Sequence, residues 1–255
     1  MTLDFIRTLA EKAGHIAMER RGTLKDSDIE FKGATDLVTE VDKEVEAFIV
    51  GEIAKAFPGH STYGEEAGRK GSSDYCWIID PIDGTTSYVH GQPFFSVSIG
   101  LRHKGIPILA AVCAPQLGET FYAERGSGAY VNGVRMHVSR REKLIDSVMA
   151  TGFACIRARH KINNLGRFTR LLPKLRGIRR YGSAAIDMAY VAAGRLEGFW
   201  EMDLKLYDIA AGELLVTEAG GRVCDFKQGA CYPEAGTVAT NRLVDKELMP
   251  LLAED

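Results

Sequence analysis

The sequence predicts a mixed fold, α+β in its first half and α/β in its second, arranged as a layered α-β-α-β-α sandwich. Strand-like segments follow one another with short connections between residues 75 and 131, which favours antiparallel pairing. Beyond about residue 145, strand-like and helix-like segments alternate, which is typical of an α/β unit. We therefore expect an N-terminal sub-domain (1–145), with a mostly antiparallel sheet, packed on a C-terminal α/β sub-domain (146–255).

The N-terminal half begins with two predicted helices. Apolar residues recur at helical spacing over residues 3–16, with Gly22 just beyond them. A second helical pattern covers residues 41–53, after a capping Thr39 and before Pro58. Short apolar runs separated by Gly and Pro then predict strands at 75–80, 94–101, 106–114, 119–124 and 128–131.

The C-terminal half alternates strands with helices. Strands are predicted at 147–151, 178–181 and 197–202. Helices are predicted at 163–172, 183–193 and 208–219.

Composition excludes several classes of protein. With 255 residues, of which 45% are hydrophobic and 26% charged, the chain is typical of a globular protein and not of a disordered or collagen-like one. Its five cysteines include no C-x-x-C pair, so we expect neither a disulfide framework nor a zinc site, and we expect a cytoplasmic location. The first residues lack the pattern of a secretion signal, and no apolar stretch is long enough to cross a bilayer.

Charge is unevenly distributed along the chain. The net charge of −2 argues against a general nucleic-acid binder. Residues 36–83 nevertheless contain 11 acidic and 4 basic residues, whereas residues 135–180 contain 13 basic and 2 acidic ones. The acidic segment is a candidate for a cation site and the basic one for an anion or partner surface, although two solvated faces would give the same counts.

The segment Trp77–Ser87 carries the chemistry. A buried strand is expected to end at Asp80, and Pro81 with Gly84 predicts a tight turn that presents Asp83 beside it. Two carboxylates so close together repel each other unless a cation lies between them. The backbone N–H groups that follow Asp83 form an array of the kind that binds phosphate. One loop thus offers ligands for a cation and a cradle for an anion.

Further acidic residues extend this pattern. Glu65 and Glu66 follow a strand-like segment, and Asp208 lies at a predicted junction between a strand and a helix. Oxygen ligands without clustered His or Cys favour Mg²⁺, which commonly shares its coordination with substrate phosphate. Each signal alone is more typical of a helix cap or a solvated loop, but their combination favours a metal-dependent phosphate site.

Five motifs in this order resemble the inositol monophosphatase family, whose members are Mg²⁺-dependent, lithium-sensitive phosphatases. The motifs are residues 36–42 (DLVTEVD), 64–66 (GEE), 77–87 (WIIDPIDGTTS), 182–185 (GSAA) together with Glu201, and 207–212 (YDIAAG). Two further segments, 150–153 and 192–199, look most like the bacterial branch of the family. The resemblance extends over nearly the whole chain and implies a homodimer.

The resemblance also implies roles for individual residues. Glu65, Asp80 and the Ile82 carbonyl would hold one Mg²⁺, and Asp80, Asp83 and Asp208 a second, with two or three ions in all and inhibition by lithium. Thr85, paired with Asp42, and Glu65 would orient and deprotonate the attacking water. The implied substrate contacts are Asp83, Gly84, Thr85, Gly182, Ser183, Ala184, Glu201 and Asp208. Lys32 matches a family lysine near the site, with one residue fewer before Asp36 than the family pattern has.

Departures from the family pattern bear on the substrate. Ser87 stands where Asn is common, Tyr207 stands where Trp is common, and Asp203 with Lys205 occupies a stretch that is usually uncharged or carries a different base. Relatives act on fructose 1,6-bisphosphate, histidinol phosphate, nucleotide 3′-phosphates or NADP. We expect a phosphomonoesterase that hydrolyses inositol 1-phosphate, with fructose-1,6-bisphosphatase or another sugar or nucleotide phosphatase of this family as the alternative.

Two other functions fit the sequence less well. Phosphatases with an aspartyl nucleophile need an Asp-x-Asp pair at the end of a strand, which the spacing of Asp80 and Asp83 does not provide. The basic segment 157–180 offers a secondary role in binding RNA or protein as a further alternative. Its scarcity of aromatic residues for base stacking makes nucleic acid the less favoured partner. No membrane partner is expected.

Overall fold

The structure is a computed structural model that describes residues 2–23, 29–31 and 37–253. Its helices are α1 (Leu3–Arg21), α2 (Glu40–Ala56), α3 (Thr85–Val89), α4 (Ala154–Arg157), α5 (Leu165–Leu171), α6 (Ala184–Ala192), α7 (Leu206–Glu218) and α8 (Asp245–Ala253). Among the residues just given, no helix combines the length and the apolar character needed to span a membrane.

The strands alternate with these helices along the chain. They are β1 (Ile29–Phe31), β2 (Leu37–Thr39), β3 (Ser61–Gly64), β4 (Gly68–Lys70), β5 (Tyr75–Asp83), β6 (Ser96–His103), β7 (Ile106–Ala114), β8 (Glu119–Glu124), β9 (Gly128–Val131), β10 (Val134–Arg135), β11 (Val148–Thr151), β12 (Gly177–Arg179), β13 (Gly198–Glu201), β14 (Arg222–Cys224) and β15 (Thr237–Thr240). The segments predicted from sequence all overlap one of these elements.

Two large sheets organise the fold. The first has the order β10-β9-β8-β7-β6-β5-β3-β4, and its neighbours are antiparallel except for β3 and β5, which run parallel. The second has the order β12-β11-β13-β15-β14, with β11 parallel to both β12 and β13. Strand β15 is antiparallel to β13 and β14, so the C-terminal sheet is mixed. A short pair, β1 and β2, stands apart from both sheets.

Helices cover both faces of each large sheet. Helices α1 and α2 pack on the outer face of the first sheet through a core that includes Ile49 and Trp77. Helices α6 and α7 lie between the two sheets, and α5 and α8 cover the outer face of the second sheet around Trp200. The predicted α-β-α-β-α sandwich is confirmed. The proposed division near residue 145 stays a prediction, because α6 and α7 contact both sheets.

The predicted turn after Asp80 is wrong in detail. Strand β5 continues to Asp83, and its pairing with β6 shifts register between Asp80 and Asp83. Pro81 lacks a backbone N–H and interrupts the ladder, but the chain keeps its direction. Helix α7 begins at Leu206, so Asp208 lies within its first turn and not at the junction itself.

Helix α7, which carries Asp208, is attached to the first sheet by a half-buried ion pair. The Glu213 carboxylate accepts hydrogen bonds from Arg102 on β6 and from the Tyr232 hydroxyl, the latter at 3.0 Å. The side chains of Arg102 and Glu213 are only 18% and 12% exposed, so the loss of one partner would leave the other poorly solvated.

We expect Glu213→Gln to lower the free energy of unfolding by about 1–3 kcal/mol, because it leaves the Arg102 guanidinium without a counter-charge. Glu52→Gln removes a surface ion pair with Lys55 and should change the free energy of unfolding by less than about 0.5 kcal/mol. Urea unfolding followed by circular dichroism measures this free energy for both variants. Equal effects of the two substitutions would contradict this assignment.

Candidate active site

A cavity of about 520 Å³ opens where the end of β5 meets the first turns of α3, α6 and α7. Ten of the twelve residues to which the resemblance assigns a catalytic, metal-binding or substrate-binding role line it: Glu65, Asp80, Ile82, Asp83, Gly84, Thr85, Gly182, Ala184, Glu201 and Asp208. The other two, Asp42 and Ser183, hydrogen-bond to Thr85 and Asp83 respectively. Lys32 and Asp36 lie outside the described residues. Residues from both halves of the chain thus meet in one cavity.

Three carboxylates form the centre of this cavity. One oxygen each of Asp80, Asp83 and Asp208 lies within 4.8 Å of the other two. Burial raises the pKa of Asp80 well above its ordinary value, and the charges of Glu65, Asp83 and Asp208 raise it further. Within the described part of the chain, Asp80 Oδ1 has no hydrogen-bond partner.

This carboxylate cluster fits a hard divalent cation. Its donors are all oxygen atoms, they are close enough to share an ion, and one of them is buried without a partner. A cation would remove the repulsion that otherwise favours protonation of these groups. Glu65 is not part of the group of three, but its charge acts directly on Asp80.

Asp83 is held by the first turn of α6. Its Oδ2 accepts hydrogen bonds from the Ser183 hydroxyl at 2.6 Å and from the Ala185 amide at 2.7 Å, and its Oδ1 accepts one from Ala184 N at 3.3 Å. Burial raises the pKa of Asp83 to about 6, although these hydrogen bonds oppose the shift. Asp83 therefore connects the end of β5 to a helix of the C-terminal half.

Thr85 has a fixed hydroxyl group. Its Oγ1 lies 3.3 Å from Asp42 Oδ1 and 3.0 Å from the Ile82 carbonyl oxygen, to either of which it can donate. The other Asp42 oxygen accepts hydrogen bonds from the Thr39 amide and hydroxyl in a capping box at the start of α2. The predicted pairing of Thr85 with Asp42 is thus present in the structure.

The backbone at Gly84 needs glycine. Its φ of 92° lies in the left-handed region, and a Cβ there would come within 2.8 Å of the Phe94 carbonyl oxygen. The chain turns at this residue from β5 into α3. Gly84, Thr85 and Thr86, at this turn and the start of α3, line the cavity together with Asp83.

The segment bearing Glu65 is held by a buried acidic residue that the sequence analysis did not single out. The Glu46 carboxylate accepts hydrogen bonds from the amides of Glu66 and Ala67, both at 2.8 Å. Because Glu46 belongs to α2, this helix positions both Glu65 and, through Asp42, Thr85.

The far wall of the cavity contains Glu201. The side chain approaches Gly152 so closely that a Cβ at that position would overlap the carboxylate. Burial raises the pKa of Glu201 to about 7, and the charges of Arg180 and Arg157 only partly oppose this. Glu201 therefore changes protonation state near neutral pH.

The positions that depart from the family pattern also reach the cavity. Ser87, Asp203, Lys205 and Tyr207 are all among its lining residues. Lys205 Nζ lies 3.5 Å from Asp203, and the Tyr207 ring packs against that of Tyr63. These substitutions thus alter the cavity wall itself.

The structure adds lining residues that sequence reasoning missed, namely Arg157, Arg180 and Asp187. The spacing of Asp187 from Ser183, one helical turn, was a signal that could have identified it.

One residue of the basic segment 157–180 does not face solvent. Arg167 is buried, and its Nε donates a hydrogen bond to the Leu252 carbonyl at 2.7 Å. Its inclusion in a solvent-facing cationic surface is therefore wrong.

Glu201 predicts a specific pH dependence of stability. Its pKa rises from 4.5 in an exposed state to about 7 in the fold, so the native state binds a proton more tightly than the unfolded chain. The free energy of unfolding of the metal-free protein should fall as pH rises through this window. Glu201→Gln should reduce that fall by about 1–3 kcal/mol.

Urea unfolding in a chelator, at several pH values between about 5 and 7.5, measures this effect. Glu197→Gln serves as the control, because Glu197 is a buried carboxylate outside the cavity that is paired with Arg141 and the Val148 amide. Parallel stability curves for the wild-type protein and Glu201→Gln would contradict the prediction.

Comparison with known proteins agrees with this geometry. A sequence model described as "Inositol monophosphatase family" matches residues 2–255. The chain is 40% identical to "Inositol-1-monophosphatase" of Mesorhizobium japonicum over 97% of this chain and 94% of that protein. It is 43% identical to "Nus factor SuhB" of Pseudomonas aeruginosa, again over 97% and 94%.

Solved structures give the same result. The crystal structure of "extragenic suppressor protein suhB" from Bartonella henselae superposes with a TM-score of 0.92 at 38% identity, covering 97% of this chain and 96% of that one. The relatives are bacterial, as the resemblance in the sequence implied. The chain belongs to the inositol monophosphatase family.

Proposed function

We propose that this protein is an Mg²⁺-dependent phosphomonoesterase that hydrolyses inositol 1-phosphate to inositol and phosphate. The observation that carries the proposal is the buried cluster of Asp80, Asp83 and Asp208, whose oxygens lie within 4.8 Å of one another. Gly84 and Thr85, whose backbone amides suit phosphate, and Glu201, whose carboxyl group suits hydroxyls, line the same cavity as this cluster. The relative from Mesorhizobium japonicum that is named inositol-1-monophosphatase supports the choice of substrate.

In this proposal, Glu65, Asp80 and the Ile82 carbonyl hold one Mg²⁺, and Asp80, Asp83 and Asp208 hold a second. When bound, Mg²⁺ would neutralise the carboxylates, polarise the phosphoryl group and lower the pKa of a water molecule. The Ile82 carbonyl oxygen has two lone pairs, so it can accept from Thr85 and still serve as a ligand.

Thr85 and Glu65 orient the attacking water. Asp42 is itself fixed by Thr39 and accepts the hydrogen bond of the Thr85 hydroxyl, whose oxygen can in turn accept one from the water. Glu65 lines the same cavity and can accept a proton from the water. The amides of Gly84 and Thr85 bind the phosphate oxygens and align the ester for in-line attack.

The alcohol part of the substrate occupies the wall contributed by the C-terminal half. Gly182, Ser183 and Ala184 line or support this wall at the start of α6, and Glu201 faces them from β13. Ser183 directs its hydroxyl to Asp83, so it acts by positioning that carboxylate. Glu201 pairs with a substrate hydroxyl.

The adjacent residues Glu65 and Glu66 provide a matched test. Wild-type protein with Mg²⁺ should release phosphate from inositol 1-phosphate, and Glu65→Gln should lower kcat by about 100-fold or more, since it removes a metal ligand and base. Glu66→Gln should stay within about threefold of wild type. Equal activities of the two variants would contradict the assignment of Glu65.

The substrate is tested on the same preparation with a panel: inositol 1-phosphate, fructose 1,6-bisphosphate, histidinol phosphate and nucleotide 3′-phosphates, each with and without lithium. The proposal expects the highest kcat/KM for inositol 1-phosphate and inhibition by lithium. A higher value for fructose 1,6-bisphosphate would favour the alternative substrate, and no phosphate release from any ester would contradict phosphatase activity.

A second candidate function is RNA binding through the basic segment 157–180. Relatives named "Nus factor SuhB" favour a role beyond hydrolysis. Arg159, Lys161, Lys174 and Arg179 are exposed on this segment, outside the cavity lining. Four exposed apolar side chains accompany them: Ile156, Ile162, Leu165 and Leu172. A cationic surface of this kind attracts a phosphate backbone.

Filter binding of single-stranded RNA over a salt series tests this second role. Affinity should fall with added salt, and the double substitution of Arg159 and Lys161 by Glu should lower it by about 10-fold. Lys104→Glu, at an exposed site on the first sheet, is the control. An affinity without salt dependence would contradict RNA binding.

A further inference from the structure

Asp187 is a buried acid in the cavity that the proposed function does not use. It lies on α6 one turn after Ser183, and its side chain is directed toward the helix N-terminus, as in any α-helix. The residue is 2% exposed and lines the cavity. Gly182 and Ala184, which the proposed function assigns to the alcohol part of the substrate, line the same cavity just before it in the chain.

One oxygen atom of the Asp187 carboxyl group is unsatisfied. Its Oδ1 is buried and makes no hydrogen bond with any residue that the structure describes. Asp225, a buried carboxylate outside the cavity, is satisfied: it accepts hydrogen bonds from the amides of Lys227, Gly229 and Cys231 at 2.8–3.0 Å. An unpaired buried carboxyl group destabilises a fold, so its presence in a cavity wall indicates a partner supplied by a ligand.

A structural role does not account for Asp187. The cap of α6 is already provided by Ser183, whose hydroxyl accepts a hydrogen bond from the Ile186 amide at 3.2 Å. Arg180 lines the same cavity, but it is exposed and makes no ion pair with Asp187. Burial raises the pKa of Asp187, the charges of Glu201 and Asp83 raise it further, and the charge of Arg180 lowers it. Asp187 and Glu201 both line the cavity in which the proposed function places the substrate.

We propose that Asp187 is a specificity-determining residue that hydrogen-bonds a hydroxyl of the substrate alcohol, beside the hydroxyl bound by Glu201. A hydroxyl group both donates and accepts, so it pairs with a carboxyl group in either protonation state. Two carboxyl groups on one wall suit neighbouring hydroxyls of a polyol. The assignment rests on the proposed function, since it concerns the substrate class of the same site: phosphate esters of polyhydroxylated alcohols.

Binding calorimetry tests the assignment independently of turnover. The probes are inositol 1-phosphate and methyl phosphate, which lacks hydroxyl groups, with Ca²⁺ in place of Mg²⁺ because its looser coordination disfavours the reaction. The readout is the ratio of the two Kd values. Wild-type protein should prefer inositol 1-phosphate, and Asp187→Ala should lower that preference by about 10- to 100-fold while the Kd of methyl phosphate changes little.

Asp187→Asn keeps the shape of the side chain and part of its hydrogen-bonding capacity, so it should lower the preference for inositol 1-phosphate by less than Asp187→Ala does. If Asp187→Ala does not fold, Asp187→Asn provides the test. Asp225→Asn is the control for a buried Asp outside the cavity and should keep the wild-type ratio. The assignment is overturned if folded Asp187 variants keep that ratio, or if wild-type protein binds both probes equally.

Failure of the proposed function can be distinguished from failure of the role of Asp187. If wild-type protein prefers inositol 1-phosphate in calorimetry but does not hydrolyse it with Mg²⁺, the phosphatase activity is contradicted; a loss of that preference in the Asp187 variants would still support the role of Asp187.

Discussion

Repulsion among buried carboxylates is the interaction on which the arrangement of the site depends. Asp80, Asp83 and Asp208 come from two distant parts of the chain, yet their oxygens are confined within 4.8 Å. Burial deprives them of water, the charges of Asp83 and Asp208 raise the pKa of Asp80, and the charge of Asp83 raises that of Asp208. The packed framework of surrounding helices and sheets holds these groups close together despite their repulsion. The proposed metal ions would neutralise their charge and bind to their oxygens.

That framework is the middle layer of the sandwich. Helix α6 binds Asp83 through the amides and the hydroxyl at its first turn, and helix α7 carries Asp208. Both helices are held between the two sheets, so the relative position of the sheets determines the geometry of the carboxylates. The same helix α6 carries Asp187, one turn after Ser183, in the lining of the cavity. In the proposed function, metal binding and substrate choice would therefore share one structural element.

Much of the fold and of the candidate site could be predicted from the sequence. Amphipathic periodicity identified α1 and α2, and the short connections indicated antiparallel pairing in the first sheet. The site residues could be named because their motifs are local, as with Asp80 and Asp83. Contacts between distant segments could not be predicted: the support of the Glu65 segment by Glu46, the burial of Arg167 and the exposure of Asp187 to the cavity depend on how helices pack. The continuation of β5 through Pro81 was missed because a bulge preserves chain direction where a turn would reverse it.

The central claim is that the carboxylate cluster binds divalent cations. Anomalous diffraction from crystals soaked in Mn²⁺, which shares the preference of Mg²⁺ for oxygen ligands, tests it most directly. The account predicts a peak bounded by Asp80, Asp83 and Asp208, at roughly 2.0–2.3 Å from their oxygens. Crystals with no peak at this cluster, at a Mn²⁺ concentration that supports activity, would contradict it.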